Sequence, residues 1–256
     1  MKNLLKEKLD QSAQPLGVFG ILPGTLAAEA LGLAGIDYCI FDTEHGTGDV
    51  ESVLPAIIAA ERRNITPLVR VKDASRTSVL KMLDIGAMGL IVPFINTVEE
   101  VEMLVSHAKY VPTGNRGFGL VRASGYSFAD YASDVPAYFA LSNRETLLLP
   151  QCETRGCLEH IEEIVNMNGV DGIFTGPYDL SVALGIAGQM EHPDLIAAIE
   201  RVQSVCARAN KYSFIFAGNT LAARRYRDMG YSSVTCGMDA ILLVQALRNM
   251  VQEIRG

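Results

Sequence analysis

Short apolar runs recur along the chain and alternate with longer stretches in which apolar residues stand three or four positions apart. A strand buried on both faces forms a short run with few charges, whereas a helix packed on a core shows the longer spacing. Eight runs have strand length, at positions 16–21, 38–42, 67–71, 89–94, 146–153, 172–175, 212–216 and 233–236. The pattern therefore predicts eight strands with helices between them.

The helical stretches cover positions 26–34, 50–63, 76–85, 98–109, 158–167, 194–209, 220–229 and 239–254. Gly35, Gly86 and Gly230 stand just past three of them, where a glycine closes the last turn in the left-handed conformation without a Cβ penalty. Strands that alternate with helices form a parallel sheet, and eight such pairs predict an α/β protein, a (β/α)8 TIM barrel, as one domain over residues 1–256. Two longer stretches, 111–143 and 184–193, are predicted to be functional loops.

Composition narrows the class of partner. The formal charge is -7 and no basic run occurs, so we expect no nucleic-acid partner and no attachment to an anionic membrane. No apolar run approaches the ~20 residues that span a bilayer, and the first ten residues lack the features of a signal peptide. The five cysteines form no CxxC pair, which favours a reducing compartment, so the cytoplasm and small-molecule substrates are expected. Cys152, Cys157 and His160 lack a fourth partner, so no zinc site is predicted.

Reactive side chains gather where predicted strands end, which is the end of a barrel of this kind that carries the active site. Gln151 and Glu153 end the fifth strand, and Asp179 closely follows the sixth. Two carboxylates from adjacent strands suit a hard divalent cation such as Mg2+, Mn2+ or Co2+. The alternative is that Glu153 pairs with an arginine and Asp179 caps a turn.

A second group of polar residues ends the second and third strands. Histidine is the residue type most often used as a general base, so His45 is a candidate for that role, and Asp42 could hydrogen-bond its imidazole and fix the tautomer. Arg70 presents a planar fork of donors to a carboxylate or an enolate oxygen. A salt bridge from Arg70 to Asp42 or Asp84, and simple packing of His45, are the alternatives. The fifth, sixth and eighth strands contain no lysine, so an imine mechanism is not expected.

At these residues the chain resembles the class II, metal-dependent pyruvate aldolases, such as 4-hydroxy-2-oxoheptane-1,7-dioate aldolase and 2-keto-3-deoxy-L-rhamnonate aldolase. The resemblance covers nearly the whole chain. It rests on Phe41-Asp-Thr-Glu-His45-Gly, Val69-Arg70-Val71, Leu83-Asp84-Ile-Gly86-Ala, Val92-Pro93, Gly114-Asn-Arg116-Gly117, Gln151-Cys-Glu153-Thr, Gly169-Val-Asp171-Gly, Gly176-Pro-Tyr-Asp179-Leu-Ser181 and His192-Pro193.

The resemblance implies a barrel of the phosphoenolpyruvate/pyruvate type and reversible retro-aldol cleavage of a 4-hydroxy-2-oxo acid to pyruvate and an aldehyde. It implies a divalent metal and no organic cofactor, and a homo-oligomer, a hexamer or trimer, whose last helix is exchanged between barrels. It further implies that Glu153 and Asp179 bind the metal. The implied catalytic residues are His45, Arg70, Asp42 and Asp84, of which Asp84 would act toward a neighbouring subunit's site. The implied substrate-binding residues are Arg70, Gln151, Gly176, Pro177, Tyr178 and Phe19.

Three positions depart from the commoner family pattern. Phe19 stands where many relatives carry Trp, Tyr178 replaces a small residue, and Cys152 replaces an aliphatic one. Tyr178 affects which aldehyde is expected to bind, and it leaves the implied reaction unchanged. Two other functions use the same residues: another enolate-forming lyase, such as an oxaloacetate decarboxylase, and a non-catalytic barrel that binds an oxo acid.

Overall fold

The computed structural model describes residues 1–22 and 24–256. The strands are β1 (Leu16–Gly20), β2 (Tyr38–Asp42), β3 (Thr66–Arg70), β4 (Gly89–Val92), β5 (Leu147–Cys152), β6 (Gly172–Thr175), β7 (Tyr212–Ala217) and β8 (Ser233–Met238). The α-helices are α1 (Leu4–Asp10), α2 (Thr25–Leu33), α3 (Val50–Arg62), α4 (Arg76–Asp84), α5 (Val98–Ala108), α6 (Val135–Glu145), α7 (Arg155–Glu159), α8 (Ile161–Asn166), α9 (Pro177–Ala183), α10 (Pro193–Arg208), α11 (Thr220–Asp228) and α12 (Asp239–Arg255).

The eight strands pair in sequence order, all parallel, and β1 also pairs with β8, so the sheet closes into a barrel. This confirms the predicted (β/α)8 fold. The predicted strand positions agree with the observed ones to within two residues at each end. A register shift between Gly17 and Phe19 accommodates the closure against β8.

Side chains alternate along each strand between the barrel interior and the helical layer outside. On β5, for example, Leu147 and Leu149 belong to the interior cluster, whereas Leu148 and Cys152 pack against the helices. Leu5 and Leu9 of α1 close the amino end of the interior cluster. The interior is thus filled up to the carboxyl ends of the strands, where a site can form.

The ends of the helices follow from sequence. Gly35, Gly86 and Gly230 have φ values of 83°, 105° and 90°, as predicted for residues that close a helix. Thr97 forms a capping box with Glu100 at the start of α5.

The stretch 111–143 is more ordered than a loop, and this part of the prediction was wrong. It contains two 3-10 turns, Arg122–Ser127 and Asp130–Ala132, followed by α6. Asp134 caps α6 by accepting a hydrogen bond from the Ala137 N–H. The segment is held by aromatic packing in which Tyr110 and Phe139 stack at 4.2 Å between ring centroids.

The last helix, α12, lies apart from the barrel. Asp239 at its start is buried and accepts hydrogen bonds from the N–H groups of Ile21 and Leu22, but every residue from 241 onward is exposed. Its exposed apolar side chains are Ile241, Leu242, Leu243, Val244, Leu247, Met250, Val251 and Ile254. Among the described residues, no helix combines the length and the apolar character needed to span a bilayer.

Candidate active site

The inward-facing columns of the barrel end in polar residues. Asp42 follows Ile40, Arg70 follows Leu68 and Gln151 follows Leu149 at two-residue steps, so all three point into the carboxyl end of the barrel. All three side chains are buried. A buried polar group is costly without a partner, and the partners of these three define the site.

Arg70 is bound to Asp42. Its Nε and Nη2 donate to Oδ1 and Oδ2 of Asp42 over 2.9 and 2.6 Å, a bidentate charge-assisted pair. The two residues are register partners on β2 and β3, so their inward side chains stand side by side. Burial by itself would lower the pKa of Arg70, but Asp42, Glu44 and Glu153 outweigh burial and its pKa lies above the ordinary value.

This pair corrects the expected link between Asp42 and His45. Both oxygens of Asp42 are taken by Arg70, and Oδ1 also accepts the Glu44 N–H over 3.1 Å. The nearest carboxylate to the imidazole is instead Glu44, with 3.9 Å between Nε2 and Oε2. The His45 side chain is 68 % exposed, so it faces the mouth of the site and is open to a ligand.

Glu44 is a site residue that the sequence pattern did not single out. Its Oε2 lies 3.1 Å from Nη1 of Arg70, on the side of the guanidinium away from Asp42. Burial raises the pKa of Glu44, and the charges of Arg70 and His45 partly offset this. Arg70 is therefore flanked by two carboxylates.

The Glu153 carboxylate is fixed by two donors. The Phe94 N–H donates to Oε1 over 2.7 Å, and the Gln151 side-chain amide donates to Oε2. Burial raises the pKa of Glu153 to about 7, an effect that these hydrogen bonds reduce and the charges of Glu44 and Asp179 increase. Glu153 thus bonds to an amide and a glutamine, not to an arginine.

Phe94 has a φ of 58°, unusual for a residue with a side chain, and its ring is 73 % exposed. The backbone turns at this point so that its N–H meets the carboxylate of Glu153. Sequence patterning missed Phe94, because positive φ at a non-glycine residue leaves no compositional signal.

Asp179 enters the site from the short helix that follows β6. Gly176 occupies the N-cap position of α9 and Asp179 is its third residue, exposed to solvent. A Cβ added to Gly176 would come within 3.1 Å of Glu153 Oε2 and 3.0 Å of Gln151 Nε2. Gly176 therefore keeps the backbone clear of the Glu153 carboxylate.

A cavity of about 170 Å³ opens at this end of the barrel. One side carries His45, Arg70, Gln151 and Asp179. The other side is apolar and contains Phe19, Pro177 and Tyr178, which were expected to bind substrate. It also contains the rings of Phe174 and Phe216, which the sequence analysis had not assigned to the site although the inward alternation of β6 and β7 predicts them. The apolar lining residues are Phe19, Phe174, Pro177, Tyr178, Phe216 and Met238.

The donor set fits a divalent cation. Among the described residues no group of three histidine, cysteine, aspartate or glutamate side chains is placed to hold a metal ion. The carboxylates of Glu153 and Asp179 are close enough for the charge of Asp179 to raise the pKa of Glu153. The buried Oε1 of Gln151 has no hydrogen-bond partner in the described part of the chain, and Gly176 leaves space beside Glu153. Two hard oxygen ligands with free positions around them suit a cation that also binds water and substrate.

Asp84 lies far from this site within its own chain. It is the last residue of α4, and a helix of a β/α unit runs back toward the amino ends of the strands. There its carboxylate accepts a hydrogen bond from Arg116 Nη2 over 2.9 Å. A role for Asp84 in catalysis therefore requires a second subunit.

Comparison with known proteins assigns the chain to a family. Residues 16–246 match the model of the HpcH/HpaI aldolase/citrate lyase family. The chain belongs to this family. A pyruvate aldolase of Rhizobium etli is 36% identical over 244 residues, which cover 95% of this chain and 94% of that protein. A 5-keto-4-deoxy-D-glucarate aldolase of Escherichia coli is 34% identical over 237 residues, covering 93% and 91%.

A solved structure agrees with this assignment. The crystal structure of an HpcH/HpaI aldolase/citrate lyase family protein from Burkholderia cenocepacia is 33% identical and superposes with a TM-score of 0.91 over 100% of both chains. This HpcH/HpaI chain is therefore an aldolase, a carbon–carbon lyase on a TIM barrel, and the predicted resemblance is confirmed.

Proposed function

We propose that this aldolase cleaves 4-hydroxy-2-oxo acids to pyruvate and an aldehyde, and joins the two in the reverse direction. The observation that carries the proposal is the convergence of Arg70, Gln151 and Glu153 at one end of the barrel. A 2-oxo acid offers a carboxylate and a keto oxygen, and the second gains negative charge when the enolate forms. The name of the Rhizobium etli relative, pyruvate aldolase, supports the same substrate class.

Glu153 and Asp179 would hold the divalent metal, for which Mg2+, Mn2+ and Co2+ are the candidates. When bound, the cation supplies Lewis acidity that stabilises negative charge on the keto oxygen. Gln151 holds Glu153 through its amide N–H and has its Oε1 free for a hydroxyl or water donor. No organic cofactor is part of the proposal.

Side chains of the protein accept the proton of the substrate and stabilise the negative charge of the enolate. His45 accepts the proton of the C4 hydroxyl, and the C3–C4 bond breaks. The electron pair of the broken bond forms the C2–C3 double bond of the enolate. Arg70 is oriented by Asp42 and stabilises the enolate oxygen through donors that Asp42 does not use. C3 then takes up a proton to give pyruvate, and C4 leaves as the aldehyde.

The test is exchange of the pyruvate methyl protons with solvent deuterium, followed by NMR. We expect exchange with Mg2+, Mn2+ or Co2+ and none after chelation of the metal. Absence of exchange with each of the three metals would overturn the proposal. In His45→Ala, cleavage of the 4-hydroxy-2-oxo acid should be lost, and cleavage at the wild-type rate would overturn the role of His45 alone.

The metal assignment has a readout besides activity. Glu153→Gln should abolish the binding of Mn2+ measured by electron paramagnetic resonance, because it removes a charged ligand. Glu163→Gln is the matched control, since Glu163 is an exposed acid on α8. Unchanged Mn2+ binding in Glu153→Gln would contradict the assignment.

We also propose that the chain forms a homo-oligomer, a hexamer or trimer, with α12 packed against a neighbouring barrel. The apolar side chains of α12 are 37–77 % exposed, and an exposed apolar surface of this kind is typical of an interface. In such an assembly Asp84 would approach a neighbour's site. All five cysteines are free thiols, which supports a cytoplasmic location.

A further inference from the structure

The apolar side of the cavity is built by four rings, Phe19, Phe174, Tyr178 and Phe216, which we call the aromatic wall. Phe19 meets Phe174 and Phe216 edge to face, at 5.9 and 5.7 Å between centroids. Tyr178 extends the wall outward, with its ring 6.0 Å from that of Phe216. Such a surface binds an apolar group through burial and ring contacts.

The Tyr178 hydroxyl lies close to the backbone of a glycine. A Cβ added to Gly218, just after β7, would lie 2.7 Å from this hydroxyl, so the absence of a side chain at residue 218 leaves space for the end of the ring. The ring thus reaches from the start of α9 across to the end of β7. At 48 % exposure Tyr178 forms the outer edge of the cavity rather than part of the core.

The polar side of the cavity has two basic side chains, Arg70 and His45, and His45 serves as acid and base in the proposed reaction. Arg70 is the only lysine or arginine that lines the cavity within the described residues. One edge of its guanidinium is filled by Asp42 and another nitrogen lies beside Glu44. The ring of Phe19 covers the face of the guanidinium, with Cζ 4.8 Å from the ring centroid. In the proposed reaction the donors that remain bind pyruvate.

We infer that the aldehyde partner of this enzyme is uncharged and carries an apolar body that packs on the aromatic wall. The inference rests on the proposed function. In the addition direction, C3 of the pyruvate enolate attacks the aldehyde carbon, and the aldehyde oxygen takes a proton from His45 to become the C4 hydroxyl. A carboxylate at the far end of the aldehyde would lie against aromatic rings that carry no charge.

The decisive measurement compares two four-carbon aldehydes, butanal and succinic semialdehyde, as partners of pyruvate in the wild-type holoenzyme. We expect kcat/KM to be at least about tenfold higher for butanal, because an unpaired charge in a partly desolvated cavity costs at least that factor. Equal values, or a preference for succinic semialdehyde, would overturn the inference. Pyruvate deuterium exchange in the same samples distinguishes failure of this inference from failure of the proposed function. If exchange occurs but butanal is not preferred, only the inferred class of aldehyde is contradicted. If no exchange occurs, the proposed function itself is contradicted.

Tyr178→Lys adds a cation at the outer edge of the wall, and Tyr178→Phe is its matched control. We expect Tyr178→Lys to shift the ratio of the two kcat/KM values toward succinic semialdehyde by about fivefold, the effect of one new ion pair at a half-exposed position. Tyr178→Phe should keep the wild-type preference. If both variants are folded by thermal denaturation and give the same ratio, Tyr178 does not face the aldehyde and the assignment of the wall is wrong.

Discussion

Arg70 and Asp42 are register partners on neighbouring strands, and the guanidinium donates two hydrogen bonds of 2.9 and 2.6 Å to the carboxylate. The pair is buried at the carboxyl end of the barrel. Asp42 therefore orients the residue proposed to stabilise the enolate, and acts on the substrate through Arg70.

Asp42→Asn should weaken both stability and catalysis. Removing one charge of a buried pair leaves Arg70 without its counter-ion, and we expect the free energy of unfolding to fall by about 3 kcal/mol. Pyruvate deuterium exchange should slow by about 100-fold, because Arg70 loses its orientation. Urea denaturation and NMR measure the two effects.

Glu162→Gln provides the control for Asp42→Asn. Glu162 also pairs with an arginine, Arg201, over 2.7 Å, but both side chains are largely exposed. A surface pair of this kind contributes roughly 0–1 kcal/mol. If Asp42→Asn lowers the free energy of unfolding no more than Glu162→Gln does, the buried pair of Asp42 and Arg70 contributes no more to stability than a surface pair.

The left-handed backbone of Phe94 predicts an unusual order of stability. Its side chain is mostly exposed, so removing it costs little burial, while a Cβ at φ 58° is strained. Phe94→Gly should therefore be more stable than Phe94→Ala by about 1 kcal/mol, the reverse of the order in ordinary backbone. Urea denaturation of the two variants tests this, and a more stable Phe94→Ala would show that the turn relaxes.

Lys109 predicts a pH dependence of stability. Its ammonium is buried and donates to Asp171 Oδ2, Asn143 O and Thr146 O at 2.6–3.1 Å. Burial lowers the pKa of Lys109 from its ordinary value of 10.5, and the charge of Asp171 only partly offsets this. The folded state then binds this proton less tightly than the unfolded state. The free energy of unfolding is therefore lower while Lys109 is protonated, and this loss disappears as the pH rises toward 10.5.

The measured quantity is the difference in free energy of unfolding between the wild type and Lys109→Met. This difference should become more favourable to the wild type as the pH rises toward 10.5, because only the wild type has the buried ammonium. Groups common to both proteins cancel. A difference that declines over this range would show that Asp171 raises the pKa of Lys109 instead.

The last helix predicts the assembly state. Leu243 and Leu247 are four residues apart on one face of α12 and are 52 and 47 % exposed. The double substitution Leu243→Asp and Leu247→Asp should reduce the mass found by light scattering after size-exclusion chromatography, because charges are excluded from an apolar interface. Gln245→Asp with Gln252→Asp, on the same exposed helix, should leave the mass unchanged.

Much of the fold follows from short-range pattern. Runs such as Tyr38–Asp42 and Gly172–Thr175 were predicted with their observed bounds, because a strand buried on both faces is apolar throughout. The segment that contains α6 was not predicted, since its aromatic residues pack against Tyr110 rather than along a regular helical stripe. The helix predicted at 158–167 is instead divided at His160 into α7 and α8.

The sequence by itself determined the residue types at the carboxyl ends of the strands, and with them the aldolase family, because strand alternation and motif spacing are local properties. Only the tertiary structure decided which of these residues meet. Asp42 stands nearer in sequence to His45, yet it binds Arg70, because closure of the barrel sets β2 and β3 in register. The same closure brings Tyr178 against the position of Gly218 and the Phe94 N–H against Glu153. Such contacts depend on the paths of separate strands in space, which no local pattern encodes.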